Sequence, residues 1–134
     1  MSESLPLRVQ GLTHRYPGER LDVFTALQLE VAPGELFAVL GSSGCGKSSL
    51  LRAIAGFITP RAGRIEIRGE AVTVDGELRV PPEARRVGMV FQDHALFPHM
   101  TVAGNIRFGI HTHPDHNDRV RELLSLAGIY GAGH

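Results

Sequence analysis

Apolar and polar positions alternate in two short stretches near the start of the chain. Residues 5–9 read as a brief strand, and Leu27, Leu29 and Val31 alternate with Gln28 and Glu30 as in a strand buried on one face. Pro33-Gly34 then turns the chain. The run 35–40 (ELFAVL) is almost continuously apolar and short, which suits a buried central strand better than a helix. A Gly/Ser-rich loop occupies 41–46. After it Leu50, Leu51, Ile54 and Ala55 recur at helical spacing, and Gly56 is a stop signal. Residues 35–56 thus predict strand, glycine loop, helix.

Further on, 64–68 and 71–74 predict strands, and Asp75-Gly76 predicts a hairpin turn into 78–80. Pro81-Pro82 interrupts, and 87–91 predicts one more short strand. Thr101 is suited to cap a helix carrying Val102, Ile106 and Ile110 at steps of four. Residues 111–116 read as a loop, and Asn117 or Asp118 as the cap of a last helix through Val120, Leu123, Leu124 and Ala127. There is no internal repeat. The fold class expected is α/β, with an antiparallel β subdomain near the N-terminus and a helical segment at the end.

Composition narrows the possibilities. The 134 residues are 43 % hydrophobic and 21 % charged, as in a folded domain able to bury a core. Fourteen basic residues balance fourteen acidic ones, which argues against a nucleic-acid binder. No apolar run is long enough to span a membrane, and the N-terminus lacks the pattern of a secretory signal. One cysteine, Cys45, excludes an internal disulfide framework or a Cys-rich zinc site. The expected compartment is the cytoplasm.

Of the fourteen basic residues thirteen are Arg, and the single Lys is Lys47. It lies in Gly41-Ser42-Ser43-Gly44-Cys45-Gly46-Lys47-Ser48, which fits G-x-x-x-x-G-K-[ST]. Glycines let successive backbone N–H groups turn inward on phosphate oxygens, and the following helix aims its positive end at the same anion. A compact ammonium, which a planar guanidinium does not replace, would reach the β- and γ-phosphates. The Ser48 hydroxyl would bind Mg²⁺, and Ser49 would donate to a phosphate oxygen nearer the ribose. The expected ligand is a Mg²⁺-nucleoside triphosphate.

From about Leu7 onward the chain resembles the ATP-binding subunits of ABC transporters. The resemblance is carried by Gly34-Glu35, by GSSGCGKSSLLRAIAGF at 41–57, by Thr59-Pro60 and Gly63-Arg64-Ile65, and by PEARRVGMVFQ at 82–92. Leu96-Phe97-Pro98-His99-Met100-Thr101-Val102 and Asn105-Ile106 continue it. The resemblance implies a P-loop NTPase core with its β subdomain over 1–92, and the Q-loop with the start of a helical subdomain over 93–134. It implies ATP and Mg²⁺ as ligands. Tyr16 then matches the aromatic that stacks on adenine, and Gln92 the Q-loop glutamine that approaches Mg²⁺ and the attacking water.

The same resemblance makes 93–102 the surface that meets an integral-membrane permease subunit, although Leu96, Phe97 and Met100 suit a core equally well. A second ATP-binding subunit would complete a dimer at the inner face of the cell membrane. The phrase FQDHALFPHMTVAGNIRFGI looks most like subunits of ferric iron importers.

The family's signature motif, its strand ending in an acidic pair and its switch histidine have no counterpart in these residues. The chain therefore reads as an incomplete ABC ATPase domain, able to bind ATP and not expected to hydrolyse it alone. It should also leave 35–40 with unpaired edges and expose apolar surface. The competing readings are an inactive truncated product and another P-loop enzyme such as a small-molecule kinase. His111, His113, Asp115 and His116 form a metal-like cluster in sequence, but a polar surface loop explains them better.

Overall fold

The computed structural model describes residues 4–93 and 95–129. Two compact units divide between Met89 and Val90. The first holds strands β1 (Leu7–His14), β2 (Phe24–Val31), β3 (Ala62–Ile67), β4 (Glu70–Val74) and β5 (Glu77–Leu78), together with helix α1 (Lys47–Ala55) and a 3-10 turn at Pro82–Ala84. The second holds helices α2 (Val102–Ile110) and α3 (His116–Leu126).

The five strands form one antiparallel sheet in the order β2-β1-β3-β4-β5. Strand β1 runs well past the expected end at Val9. Leu7 and Val9 share one phase, but Leu12 and His14 are also buried, on the opposite parity. An irregularity in both ladders makes the change: β1 shifts register between Val9 and Leu12 against β2, and between Gln10 and Thr13 against β3. Gly11 sits there at φ +57°, and Gly63 on β3 approaches so closely that a Cβ would lie 2.5 Å from the Gly11 carbonyl oxygen. Strict alternation fails at such a bulge, so the sequence pattern stops short of it.

Val9, Leu12, Phe24, Ile65, Ile67 and Val72 of the sheet share one buried cluster with Leu50 and Ala53 of α1. That burial, not propensity alone, holds a nine-residue helix in place. The helix stops at Gly56, whose N–H bonds back to Arg52 and Ala53. The hairpin turn at Asp75-Gly76 forms as expected, with Asp75 Oδ1 also accepting from the Gly63 N–H at 2.9 Å.

Two expected strands are not formed. Residues 35–40 pair with no strand among the described residues, and Leu36 and Leu40 are 98 % and 89 % exposed. A strand exists through its ladder, and the sheet closes its hydrogen bonding without this segment. The same holds for 87–91, where Val90 is exposed. Apolar surface is left bare at 35–40 as expected, but no strand forms there to have unpaired edges. In the second unit Thr101 caps α2 as expected, its Oγ1 accepting from the Gly104 N–H at 3.0 Å. Helix α3 begins earlier than its sequence suggests: Asp115 is the N-cap in place of Asn117 or Asp118, and His116 is already helical.

Arg85 is the largest fully buried side chain. Its guanidinium donates from Nε to the Val80 carbonyl, from Nη1 to those of Ala53 and Ile54, and from Nη2 to the Val72 carbonyl and Thr73 Oγ1, all at 2.8–3.2 Å. No carboxylate bridges to it among the described residues, and burial pulls its pKa below the ordinary arginine value. The cation faces the C-terminal carbonyls of α1, where the helix dipole favours it. Arg85→Ala would strand the Ile54 and Val80 carbonyls and is expected to lower stability by about 3 kcal/mol. Arg85→Lys, with fewer donors and no fork, should recover less than half of that in urea denaturation.

Candidate functional site

The glycine loop and the first turn of α1 form the candidate site. Gly46 is the N-cap of α1 at φ +98°, and a Cβ there would lie 2.8 Å from Val23 Cγ1, so the position requires glycine on both counts. No side chain caps the helix and no acidic residue lies in its first turn. Its leading N–H groups therefore keep their positive end for an anion.

Lys47 folds back over its own loop. Its Nζ donates to the carbonyls of Gly41 at 2.6 Å and Ser42 at 2.7 Å, and weakly to Cys45 Sγ at 3.6 Å. An ammonium has three donors, and the contact to sulfur is the poorest of these three. A phosphate oxygen would take that donor and leave the two carbonyl bonds in place. Ser42, Ser43, Gly44 and Cys45 are exposed along the loop, and Cys45 is a free thiol. Ser48, the second helical residue, presents an exposed hydroxyl beside Lys47, while Ser49 is buried.

The bulge in β1 carries the chain to Tyr16. Its Oη lies 2.7 Å from Ser49 Oγ, and its ring meets His14 edge to face with centroids 4.7 Å apart. The loop after Tyr16 is closed by the Val23 N–H on the His14 carbonyl and by Asp22, which accepts from Arg15 and Arg61 at 2.9 and 3.2 Å. The Arg15 bond first, with both guanidinium charges adding, holds the Asp22 carboxyl below its ordinary pKa. The structure thus brings Tyr16, Lys47, Ser48 and Ser49 to one end of α1. Gln92 belongs to the second unit, on an exposed turn.

In the second unit Phe97 packs on Phe108 with ring centroids 4.6 Å apart, and Met100 is half-buried. Leu96 remains exposed. Asn105 clamps the segment: its side chain accepts from the Phe97 N–H and donates to the carbonyls of Phe97 and Thr101. The histidines make local backbone contacts, His111 at the end of α2 and His116 at the start of α3. His111 and His116 bond through Nδ1 to the carbonyls of Phe108 and His113, and His113 accepts from the Asp115 N–H. Among the described residues no group of three or more His, Cys, Asp or Glu is placed to hold a metal.

Sequence reasoning gave no role to His14, Arg85 or Asn105. The only signal for His14 was a polar residue in an otherwise apolar alternation, visible once the bulge is known. His14 is 7 % exposed, with neither ring nitrogen in a hydrogen bond among the described residues. Burial lowers its pKa, opposed by the nearby Asp22 charge. A neutral imidazole in the folded state and an ordinary one in the unfolded state mean that the unfolded chain binds more protons below about pH 6.5. Stability should therefore be full above that pH and decline as pH falls from it toward the lower folded pKa. Thermal melts across pH 5–8 should show this decline, and His14→Phe should remove that part of it.

The family model described as ABC transporter matches residues 24–134. The chain is 43 % identical over 130 residues to the Fe(3+) ions import ATP-binding protein FbpC of Streptomyces avermitilis, covering 94 % of this chain and 36 % of that protein. It is 50 % identical over 93 residues to the spermidine/putrescine import ATP-binding protein PotA of Frankia alni, covering 69 % and 19 %. Among solved structures it is similar to a bacterial Atm1-family ABC exporter with ATP bound, with a TM-score of 0.68 and 31 % identity over 81 % of this chain and 18 % of that one. The chain thus spans about a third or less of the length of these relatives. A matched region that takes in the glycine loop, α1 and everything after them places this chain in the ABC transporter family.

Proposed function

We propose that this chain is the nucleotide-binding portion of an ABC importer's ATP-binding subunit and that it binds Mg²⁺-ATP through residues 41–49. The observation that carries the reading is Lys47, held by two loop carbonyls at the open N-terminus of α1 with one donor left on a weak acceptor. Gly41, Ser42, Ser43, Gly44, Cys45 and Gly46 supply the backbone of the cradle, and Lys47 and Ser49 supply side-chain donors to the phosphates. The exposed Ser48 hydroxyl suits Mg²⁺, which when bound neutralises phosphate charge. Tyr16, set beside Ser49, offers its ring to the adenine.

In the whole subunit Gln92 would position the water and contact Mg²⁺, and a second ATP-binding subunit would complete the dimer. The exposed Leu96 and the part-exposed Phe97 suit a permease subunit's contact at the inner face of the membrane. Relatives named for ferric iron and for polyamines support an importer, and ferric iron is the cargo we favour. No helix among the described residues is long and apolar enough to cross a membrane. The 134 residues contain no apolar strand ending in an acidic pair, so this chain has no carboxylate in that role to orient the Mg²⁺ shell or take a proton from water.

Titration of the purified chain with Mg²⁺ and a fluorescent ATP analogue, beside Lys47→Ala, tests this. Saturable binding weakened about tenfold or more in the variant is expected, with no phosphate release above blank. Equal binding by Lys47→Ala would overturn the site. Lysine-dependent turnover would overturn the view that this chain does not hydrolyse ATP.

A further inference from the structure

We propose that the hydroxyl contact between Tyr16 and Ser49 makes the candidate site selective for ligands that carry a flat base and a phosphate chain together. The proposal rests on the reading of 41–49 as a phosphate cradle. It concerns the Tyr16 hydroxyl, which stacking does not use.

Tyr16 and Ser49 are 33 residues apart, yet Oη and Oγ approach to 2.7 Å. Ser49 is the third residue of α1 and is buried, so this end of the contact belongs to the cradle helix. The other end of the tyrosine is set by the sheet. His14, the last residue of β1, meets the ring edge to face at an interplanar angle of 85°. His14 in turn lies against Phe24, the first residue of β2, with ring centroids 6.0 Å apart. Neither imidazole nitrogen is hydrogen-bonded among the described residues, so His14 supports the ring without drawing its hydroxyl away. The ring is therefore held by His14 of the sheet and, at its hydroxyl, by the helix. A phenylalanine would keep the first restraint and lose the second.

The hydroxyl chemistry gives the contact a direction. Serine has one proton to donate and two lone pairs to accept with. If Tyr16 donates to Ser49, the Ser49 proton remains available to an acceptor at the helix end. If Ser49 donates to Tyr16, it has nothing to offer a phosphate. An anion that accepts from Ser49 selects the first arrangement, and the two bonds in series then polarise one another. A phosphate chain on the loop thereby firms the position of the ring, and a base on the ring holds the tyrosine that supports Ser49. A nucleotide gains from both, whereas a nucleoside or bare triphosphate engages only one half. The restraint is already present without ligand, so less ordering remains to be done on binding.

The test measures Mg²⁺-ATP and inorganic triphosphate on the purified chain, the second by competition, for wild type, Tyr16→Phe, Ser49→Ala, Ser49→Thr and the Tyr16→Phe/Ser49→Ala pair. Tyr16→Phe should weaken ATP about five- to tenfold, the size of one hydrogen bond, and weaken inorganic triphosphate by a clearly smaller factor. Ser49→Ala should weaken both ligands, and Ser49→Thr should restore most of the loss. In the Ser49→Ala background Tyr16→Phe should have no further effect on ATP. Wild-type ATP affinity in Tyr16→Phe, an equal loss in the Ser49→Ala background, or an equal loss for inorganic triphosphate would each overturn the proposal. If Tyr16→Phe does not fold, the serine pair decides: loss in Ser49→Ala without rescue by Ser49→Thr overturns it. Lys47→Ala separates the two readings. If that variant binds ATP as wild type does, the cradle itself is wrong; if lysine matters and the tyrosine hydroxyl does not, only this proposal falls.

Discussion

A guanidinium buried without a carboxylate ties the first unit together. Arg85 spends all five of its N–H donors on the C-terminal carbonyls of α1, on β4 and on the strand of chain just before it. Burying a cation is costly unless every donor is met, and here every donor is met by oxygen. The side chain also fills the space beside Gly56, where a Cβ would come within 2.7 Å of Nε. The helix that opens with Lys47 is thus held at its far end by Arg85 together with the Gly56 cap. Its near end is left free of caps, and the positive end of its dipole is uncompensated.

The near end is held differently. The bulge at Gly11 moves β1 by one residue of phase, which turns His14 inward and delivers Tyr16 beside Ser49. The close approach of Gly63 to that bulge has no room for a side chain. Ordering of the site therefore comes from the sheet as well as from the loop. The two glycines responsible, Gly11 and Gly63, stand outside the candidate loop in sequence.

Leu36 and Leu40 in the first unit, and Val90 and Leu96 in the second, are exposed apolar side chains. In the second unit Asn105 and the Phe97–Phe108 pair hold residues 97–101, and Leu96 stays exposed.

Much of the site was legible because its signals are local. The loop with its one lysine, the start of α1 at that lysine, its stop at Gly56, the Asp75-Gly76 turn and the Thr101 cap are all written within a few residues of where they act. Other features depended on partners distant in the chain. An apolar run at 35–40 has the composition of a strand, but a ladder needs a second strand, and the described residues offer none. The bulge in β1 shows only when two neighbouring strands are laid beside it. Arg85 reads in sequence as one arginine among thirteen, and its burial follows from carbonyls that α1 and β4 bring to one point. The sequence determined the chemistry of the loop and the ends of its helix, since hydrogen bonds over three or four residues decide those. The tertiary structure decided which side chains stand around the loop, because register, burial and the pairing of backbone groups are settled only between segments far apart.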